Sequence, residues 1–598
     1  MSAQLPRYLR HRLQQSEAAG PVLLAVLVGL LGGAWAILFR YLIRGAQWLF
    51  QEQGRALAAR LHVPQSLGDV HLLVAPAVGL VIVVAIVRRW APEARGHGVP
   101  EVQYAVRALG GQIRGRVALV KALASALNIG SGGSVGREGP IVQIGSTVGS
   151  AVGRLAGLGT EPTKLLVACG AAAGIGATFN APIAGVLFAL EVILGSFAAR
   201  SFGLVVIASV AGTTLARVIL GPQPAFHLPE PFTLASEREL LLYLILGGLA
   251  GLVAVAYVRS VYGFEDLFER WRASPALKGA AGGLAVGLMA YVGSSLVLGV
   301  GYEGVEMALA GGLTLRLMLL LVLLKMLATS LTLAAGGSGG VFAPALFVGA
   351  MLGGTFGQLA QAVFPAWTAP AGAYALVGMA GAFGAAAHAP ITAVLILFEM
   401  TDDSHIILPL MLTVGVSYLV ASRLFPESIY SLKLRRLGGL EGPRRELSIL
   451  DMLLVDDAMS EEFEAVSPEL GVAELHRRAR AKRTRSWPVV DASGELVGIV
   501  TDTDLEQSVV FGEKDGLTVG DVMTTSVVTL QPADTLRTAF RRFGERDVKL
   551  IPVVEDARGR KLVAVLKRYD MVWAYQTMAE EHERLLREAG ARAETPET

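Results

Sequence analysis

One stretch of this chain occurs twice. Phe179-Asn-Ala-Pro-Ile-Ala-Gly-Val-Leu-Phe-Ala-Leu-Glu191 returns as Ala387-His-Ala-Pro-Ile-Thr-Ala-Val-Leu-Ile-Leu-Phe-Glu399, with Gly170 and Gly176 matched by Gly378 and Gly384. Upstream of each copy stands a Gly-Ser-Gly-Gly run, Gly130 to Gly133 and Gly337 to Gly340. Ser131 to Gly149, Gly170 to Phe188, Gly336 to Gly357 and Gly378 to Phe398 are apolar runs interrupted by residues such as Gly, Pro, Ser and Asn. Interrupted helices survive inside a bilayer only when buried in protein or lining a cavity. Breaks at corresponding places of two repeats mark transport proteins whose site lies between the repeats, near the midplane.

The remaining apolar runs fit that setting. A helix crossing the hydrocarbon needs about 20 residues, and Val22 to Phe39, Leu72 to Val87, Phe202 to Leu220, Leu240 to Tyr257, Gly279 to Leu298 and Leu317 to Ala335 qualify. Between Gly279 and Met400 the only charged residues are Glu303, Glu306, Arg316, Lys325 and Glu399. The run from Gly20 to about Phe39 is too long for a signal-peptide core and is expected to be the first membrane helix. Its basic flank, Arg7, Arg10, His11 and Arg12, places the N-terminus in the cytoplasm. The net charge of +2 and scattered basic residues argue against nucleic acid. A single cysteine, Cys169, allows no disulfide framework and no thiol metal site.

After Tyr430 the composition turns charged, and a second duplication follows. Asp457-Ala-Met459, Pro488-Val-Val-Asp491 and Leu496-Val-Gly-Ile-Val-Thr-Asp-Thr-Asp504 are echoed by Asp521-Val-Met523, Pro552-Val-Val-Glu555 and Leu562-Val-Ala-Val-Leu-Lys-Arg-Tyr-Asp570. Each copy mixes short β-rich runs with amphipathic helices. The expected organisation is a cytoplasmic segment 1–19 and an all-α polytopic membrane domain 20–434, with inverted repeats of about 20–200 and 201–434. A linker 435–450, soluble α/β modules 451–515 and 516–578 and a charged tail 579–598 follow.

Three segments carry the chemistry: Gly96-His-Gly-Val-Pro100, Gly136-Arg-Glu-Gly-Pro140 and Gly340-Val-Phe-Ala-Pro344. Each reads as the start of a helix, with Pro at a position whose missing N–H costs nothing. Helix N-termini offer unpaired N–H groups and partial positive charge to anions, and Gly lets the backbone come close. An anion can exchange water for such donors without being trapped by a full positive charge. Glu138, set among them, can occupy the anion's place as a tethered carboxylate and vacate it when protonated. The plainer alternative is a structural carboxylate paired with Arg137; intramembrane ionisable residues are functional by default.

These motifs resemble those of the CLC family of chloride channels and proton-chloride exchangers, with Gly136-Arg-Glu-Gly-Pro140 nearly diagnostic. Phe179-Asn-Ala-Pro182 and Tyr430 within Ser428-Ile-Tyr-Ser-Leu also fit. The soluble pair resembles the paired CBS domains of many members. The resemblance implies a homodimer with one pore per subunit, in a cytoplasmic membrane with both termini inside. It implies that the N–H groups of Val341 and Phe342 and the Tyr430 hydroxyl hold a central chloride. Those of Arg137, Glu138 and Gly139 would frame an outer position, with Glu138 the gate. In the CBS pair it implies adenine nucleotide (ATP, ADP or AMP), with Thr501 at phosphate and Asp504 at ribose. Lys567 replaces the second Thr while Asp570 remains; the alternative is a purely dimerising scaffold.

Two positions depart from the family pattern. His97 stands where the family usually has Ser; its imidazole either donates to the central anion as a titratable contact or turns away into a packed niche. Val192 stands where exchangers carry an internal proton-accepting glutamate. Glu191 is adjacent, but one helical step turns a side chain by about 100°, and its counterpart Glu399 suggests a shared structural carboxylate. Valine cannot carry a proton, so the residues favour a passive glutamate-gated channel. Proton-coupled exchange is the alternative, since some members without that glutamate exchange and a water chain can stand in for it. Lys121 either adds positive potential to the inner path or snorkels to an interface, and His388 reads as a hydrogen-bonded core residue. An enzyme is not expected. No phosphate loop occurs, and the one His-Glu pair, at His582, lacks the second His of a zinc protease.

Overall fold

The computed structural model describes residues 19–60, 70–226, 232–401, 403, 405–437, 453–481, 485–510, 516–546, 548–555 and 560–578. The basic N-terminal flank, most of the linker and the charged tail lie outside the described residues. The chain forms two compact units, Met1–Leu440 and Glu441–Thr598.

The first unit is helical throughout. One half contains α1 (Ala19–Gln47), α2 (Val70–Trp90), α3 (Val99–Ala108), α4 (Arg116–Gly130), α5 (Glu138–Leu155), α6 (Thr160–Phe179), α7 (Pro182–Phe188) and α8 (Ala199–Leu220). The other repeats the order with α9 (Glu239–Arg270), α10 (Pro275–Val292), α11 (Tyr302–Leu309), α12 (Leu315–Ala334), α13 (Phe342–Val363), α14 (Ala371–Ala387), α15 (Pro390–Thr401) and α16 (Ile407–Leu424). The short α17 (Ser431–Arg436) closes the unit. Among the described residues nine helices are long and apolar enough to cross a membrane, and many outward side chains are large and apolar, such as Leu241, Leu323 and Leu419. The run expected to span to Leu298 ends as a helix at Val292, and Ser295–Val297 form a 3₁₀ turn.

The duplication extends further than the sequence motifs. Asn180 and His388, at the break after α6 and after α14, are the only non-glycine residues with positive φ among those described (59° and 53°). Each lets the chain reverse before the Pro that starts the next helix. Asn180 donates to the carbonyls of Pro222 (2.8 Å) and Gln223 (3.2 Å), whereas the His388 ring packs edge-on against Tyr418 (5.6 Å). Helices α5 and α6 meet where Gly145 faces Gly170, and α13 and α14 where Gly349 faces Gly378; a Cβ on any of the four would fall within 2.4 Å of the opposite carbonyl oxygen.

The register of the repeat also differs from the Gly-Ser-Gly-Gly match. Gly136 and Gly340 exchange two backbone hydrogen bonds of 2.7 Å, and Gly132 and Gly336 share a positive φ (105° and 99°). Lys121 through Pro140 therefore corresponds to Lys325 through Pro344 without a gap, and the runs at Gly130 and Gly337 are not equivalents. Both lysines are fully buried. Lys121 donates to the carbonyls of Ala94 (3.0 Å) and Gly96 (2.7 Å), and Lys325 to those of Val297 (3.0 Å) and Gly299 (2.9 Å). Lys121 is thus a loop anchor and does not snorkel.

Glu191 and Glu399 form a reciprocal pair. Glu191 accepts from the N–H groups of Ile391 (3.2 Å) and Thr392 (2.8 Å) and from the Thr392 hydroxyl (2.6 Å) at the start of α15. Glu399 accepts from the N–H groups of Ile183 (3.0 Å) and Ala184 (2.7 Å) at the start of α7. Each carboxylate satisfies donors that a helix start leaves without partners. Replacing Glu191 by alanine is expected to destabilise the membrane unit by about 1–3 kcal/mol per orphaned donor. The check is a lower unfolding temperature in detergent with an unaltered pH profile of transport.

The second unit holds two antiparallel strand pairs, β1 (Ser486–Val490) with β2 (Leu496–Thr501), and β3 (Leu550–Val554) with β4 (Leu562–Lys567). Each copy lends a segment to the other's core. Leu453 and Val455 pack with Leu530, Leu536 and Ile551, while Val519 packs with Val472, Trp487 and Val500. The exchange is tied by Val455 N–H to Asp534 O (2.8 Å) and by Val519 N–H to Leu470 O (2.8 Å). Asp521 caps its turn by accepting from the Thr518 N–H (2.9 Å) and hydroxyl (2.8 Å), which holds its carboxyl below the usual aspartate range.

A candidate anion site where three glycine loops meet

The loops before α3, α5 and α13 interlock. Gly96 and Ser338 lie side by side, with Gly96 N–H bonded to Gly337 O and Gly339 N–H to Gly96 O, both at 3.2 Å. Gly139 lies so close to His97 that a Cβ there would be 1.9 Å from the His97 carbonyl oxygen. Only glycine allows this approach. Glu101 braces the first loop by accepting from the Gly98 N–H (3.0 Å).

Glu138 is buried at the first position of α5, and its carboxylate reaches the opposite repeat. Oε1 accepts from the Tyr302 hydroxyl (2.9 Å) and Oε2 lies 3.4 Å from the Ala343 N–H at the start of α13. The carboxylate therefore sits at the mouth of a 22-residue helix, whose N-terminal dipole favours negative charge. Among the described residues, the N–H groups of Arg137, Gly139, Val341 and Phe342 have no acceptor within the protein. The starts of α5 and α13 thus keep backbone donors open to a small anion, with the Glu138 carboxylate beside them.

Tyr430, Phe342 and His97 lie around the same loops. Tyr430 is buried at the start of α17, and Tyr430 and Tyr257 both lie within electrostatic range of Glu138. The Tyr257 hydroxyl donates to the Val341 carbonyl (3.1 Å). Phe342 packs its ring against Phe179 (5.6 Å) and Phe383 (4.2 Å). His97 is buried against Tyr262 (6.0 Å between rings) and its Nδ1 has no partner within the protein. Val192 is buried, and its carbonyl accepts from Gln103 Nε2 (2.7 Å), while Gln103 Oε1 has no partner within the protein. Sequence motifs do not single out Tyr302, Ala343 or Lys325. The Lys121–Lys325 match and the pairing of Gly96-His-Gly98 with Gly299-Val-Gly301 are the available signals.

In the second unit, Thr501 and Asp504 line a cavity of about 460 Å³ together with Arg485, Thr524 and Lys549. Asp504 Oδ2 already accepts from the Thr501 N–H (2.8 Å) and hydroxyl (2.7 Å). Asp570 is not part of that lining; its Oδ2 is buried without a partner within the protein.

Two helical repeats that meet at opposed helix N-termini around a carboxylate define a membrane anion-transport protein with a C-terminal α/β pair. Residues 79–422 match the family model described as voltage gated chloride channel, and residues 455–510 and 519–576 each match the CBS domain. The chain belongs to the CLC family and carries two C-terminal CBS domains. It is 34% identical over 423 residues to the H(+)/Cl(-) exchange transporter ClcA of Cronobacter sakazakii, covering 69% of this chain and 89% of that protein. It is also 34% identical over 421 residues to a protein from Ralstonia nicotianae whose name likens it to the chloride channel ClcB, covering 69% and 96%. Its fold matches the crystal structure of a slow cyanobacterial Cl-/H+ antiporter with a TM-score of 0.65 and 25% identity, over 71% of this chain and 99% of that one. The protein is a multi-pass CLC anion transporter, and not an enzyme.

Proposed function

We propose that this chain exchanges chloride for protons across a cytoplasmic membrane, as a homodimer with one pathway per subunit and both termini inside. The observation that carries the reading is the Glu138 carboxylate held at the start of α13 by donors an anion would use. Protonation removes its charge and its claim on those donors, so chloride competes with the ionised carboxylate and proton uptake is coupled to chloride entry at one place. Val192 alone favours a passive channel. Two observations favour exchange instead: the similarity to an exchange transporter, 89% of whose length the match covers, and buried polar atoms without protein partners, Gln103 Oε1 on the side chain that holds the Val192 carbonyl and His97 Nδ1 in the loop before α3. Buried water settles where polar partners of this kind are available, and a water chain can carry protons past a valine. Chloride would be held by the N–H groups of Val341 and Phe342 with the Tyr430 hydroxyl, and framed outside by Arg137, Glu138 and Gly139.

The test is chloride efflux from liposomes with simultaneous pH recording. A chloride gradient is expected to drive protons uphill, and chloride efflux with no accompanying proton movement would leave the passive channel standing. At the CBS pair, adenine nucleotide would bind the cavity lined by Thr501 and Asp504. Calorimetry of the full chain should show binding of ATP, ADP or AMP that Asp504→Ala weakens at least about tenfold, through loss of hydrogen bonds to ribose at roughly 1–2 kcal/mol. No heat with any of the three nucleotides would reduce the pair to a scaffold.

A further inference from the structure

Tyr302 is not among the anion-holding residues named above, yet it makes the shorter of the two hydrogen bonds to the Glu138 carboxylate (2.9 Å). It stands at the first position of α11, in the second-repeat counterpart of the His97 loop. Gly299 and Gly301 there carry positive φ of 55° and 88°, as Gly96 and Gly98 do at 76° and 91°. Lys325, fully buried, fixes this loop through the Gly299 carbonyl. The Tyr302 ring is gripped from two sides, by Phe226 edge-on (5.1 Å) and by the Arg137 guanidinium (5.0 Å), which also lies over Phe179 (5.7 Å). The hydroxyl is thus aimed by packing, and is not free to follow the carboxylate when that side chain moves.

From this placement we infer that Tyr302 is a positioning residue for the gate. Its hydroxyl latches the Glu138 carboxylate in the pathway and, once the carboxylate withdraws, remains there to donate to the arriving anion. The inference rests on Glu138 being the gate. A phenol can donate to a carboxylate or a halide alike, and a hydrogen bond to a charged group is among the stronger kinds. The latch favours the ionised, seated carboxylate and so opposes acid opening. Arg137 from the start of α5, Lys325 from α12, Tyr257 from α9 and Tyr430 from the start of α17 also face Glu138 electrostatically. Only Tyr302 among these tyrosines has its hydroxyl on the carboxylate.

The full-length protein in liposomes tests this through chloride flux as a function of external pH. Tyr302→Phe should raise flux at neutral pH about tenfold and move the half-maximal point about one pH unit upward, the loss of one charge-assisted hydrogen bond. Incorporating 3-fluorotyrosine at 302, a stronger donor of nearly the same size, should move it downward. That opposite shift keeps the test usable if the phenylalanine variant folds poorly. In a Glu138→Gln background both changes should lose their effect on the pH profile. Native-like profiles for both Tyr302 variants, with Glu138→Gln itself insensitive to pH, would overturn the latch alone. Acid activation persisting in Glu138→Gln would remove the gate and the latch with it.

Discussion

Replacing Glu138 by glutamine is expected to give chloride flux that no longer rises as the external solution is acidified. Glutamine has the size of the protonated side chain, and it carries no charge with which to claim the start of α13. In the native chain the carboxylate accepts from Tyr302 and approaches the Ala343 N–H, donors at a helix end whose field favours an anion of any kind. A neutral amide forfeits the ionic part of that attraction, so the permeating anion wins the place at every pH. Flux at neutral pH should rise at least about tenfold, the equivalent of about 1.4 kcal/mol of lost competition. In an exchanger the same change also removes proton transport, so the pH electrode should fall silent while chloride continues to move. Liposome efflux measured at several external pH values gives both readings at once.

Replacing Gly139 by valine is expected to abolish flux at all pH values. The Cβ would lie 1.9 Å from the His97 carbonyl oxygen and 3.1 Å from Gly340 Cα, so the obstacle is backbone on two sides and cannot rotate away. Overpacking against side chains costs roughly 1–3 kcal/mol, and backbone on both sides gives less room still. Relief requires the three loops to part, which would pull the Gly136–Gly340 pair and the donors of α13 out of register. Flux should fall to the background of empty liposomes, with a smaller monodisperse peak in size-exclusion chromatography. A methyl group on Gly248 in α9 would meet nothing within 4 Å. Gly248→Ala should therefore behave as native, and slightly favour its helix.

The membrane class, the broken helices and the two duplications were legible because each leaves a local mark: apolar length, Gly and Pro at a break, a repeated string. Glu138, His97, Val341, Phe342 and Tyr430 stand out as candidates because short motifs surround them. Tyr302 was not. Its loop keeps the glycines of the His97 loop but lacks the proline, and its meaning depends on a carboxylate 164 positions away. For Lys121 the sequence suggests a charge on the inner path or at an interface, because charge patterning speaks of water and membrane surfaces. Its actual partners are carbonyls that only the folded loops present. The exchange of Leu453 and Val455 into the second CBS core was hidden for a related reason. Any short apolar pair fits several cores, and the choice is made by long-range packing.

The reciprocal caps of Glu191 and Glu399 set a limit on motion. Many repeat-built transporters carry substrate by rocking one half against the other. Here each half holds the opening turn of a helix in the other half, and the glycine bonds between Gly136 and Gly340 lie beside the pathway itself. Rocking would break all of these together, in a region where freed N–H groups find little water to replace them. With Glu138 as the proposed gate, the cheaper movement is the swing of a single carboxylate within walls that stay put, which would make the moving part of this machine a few atoms in size.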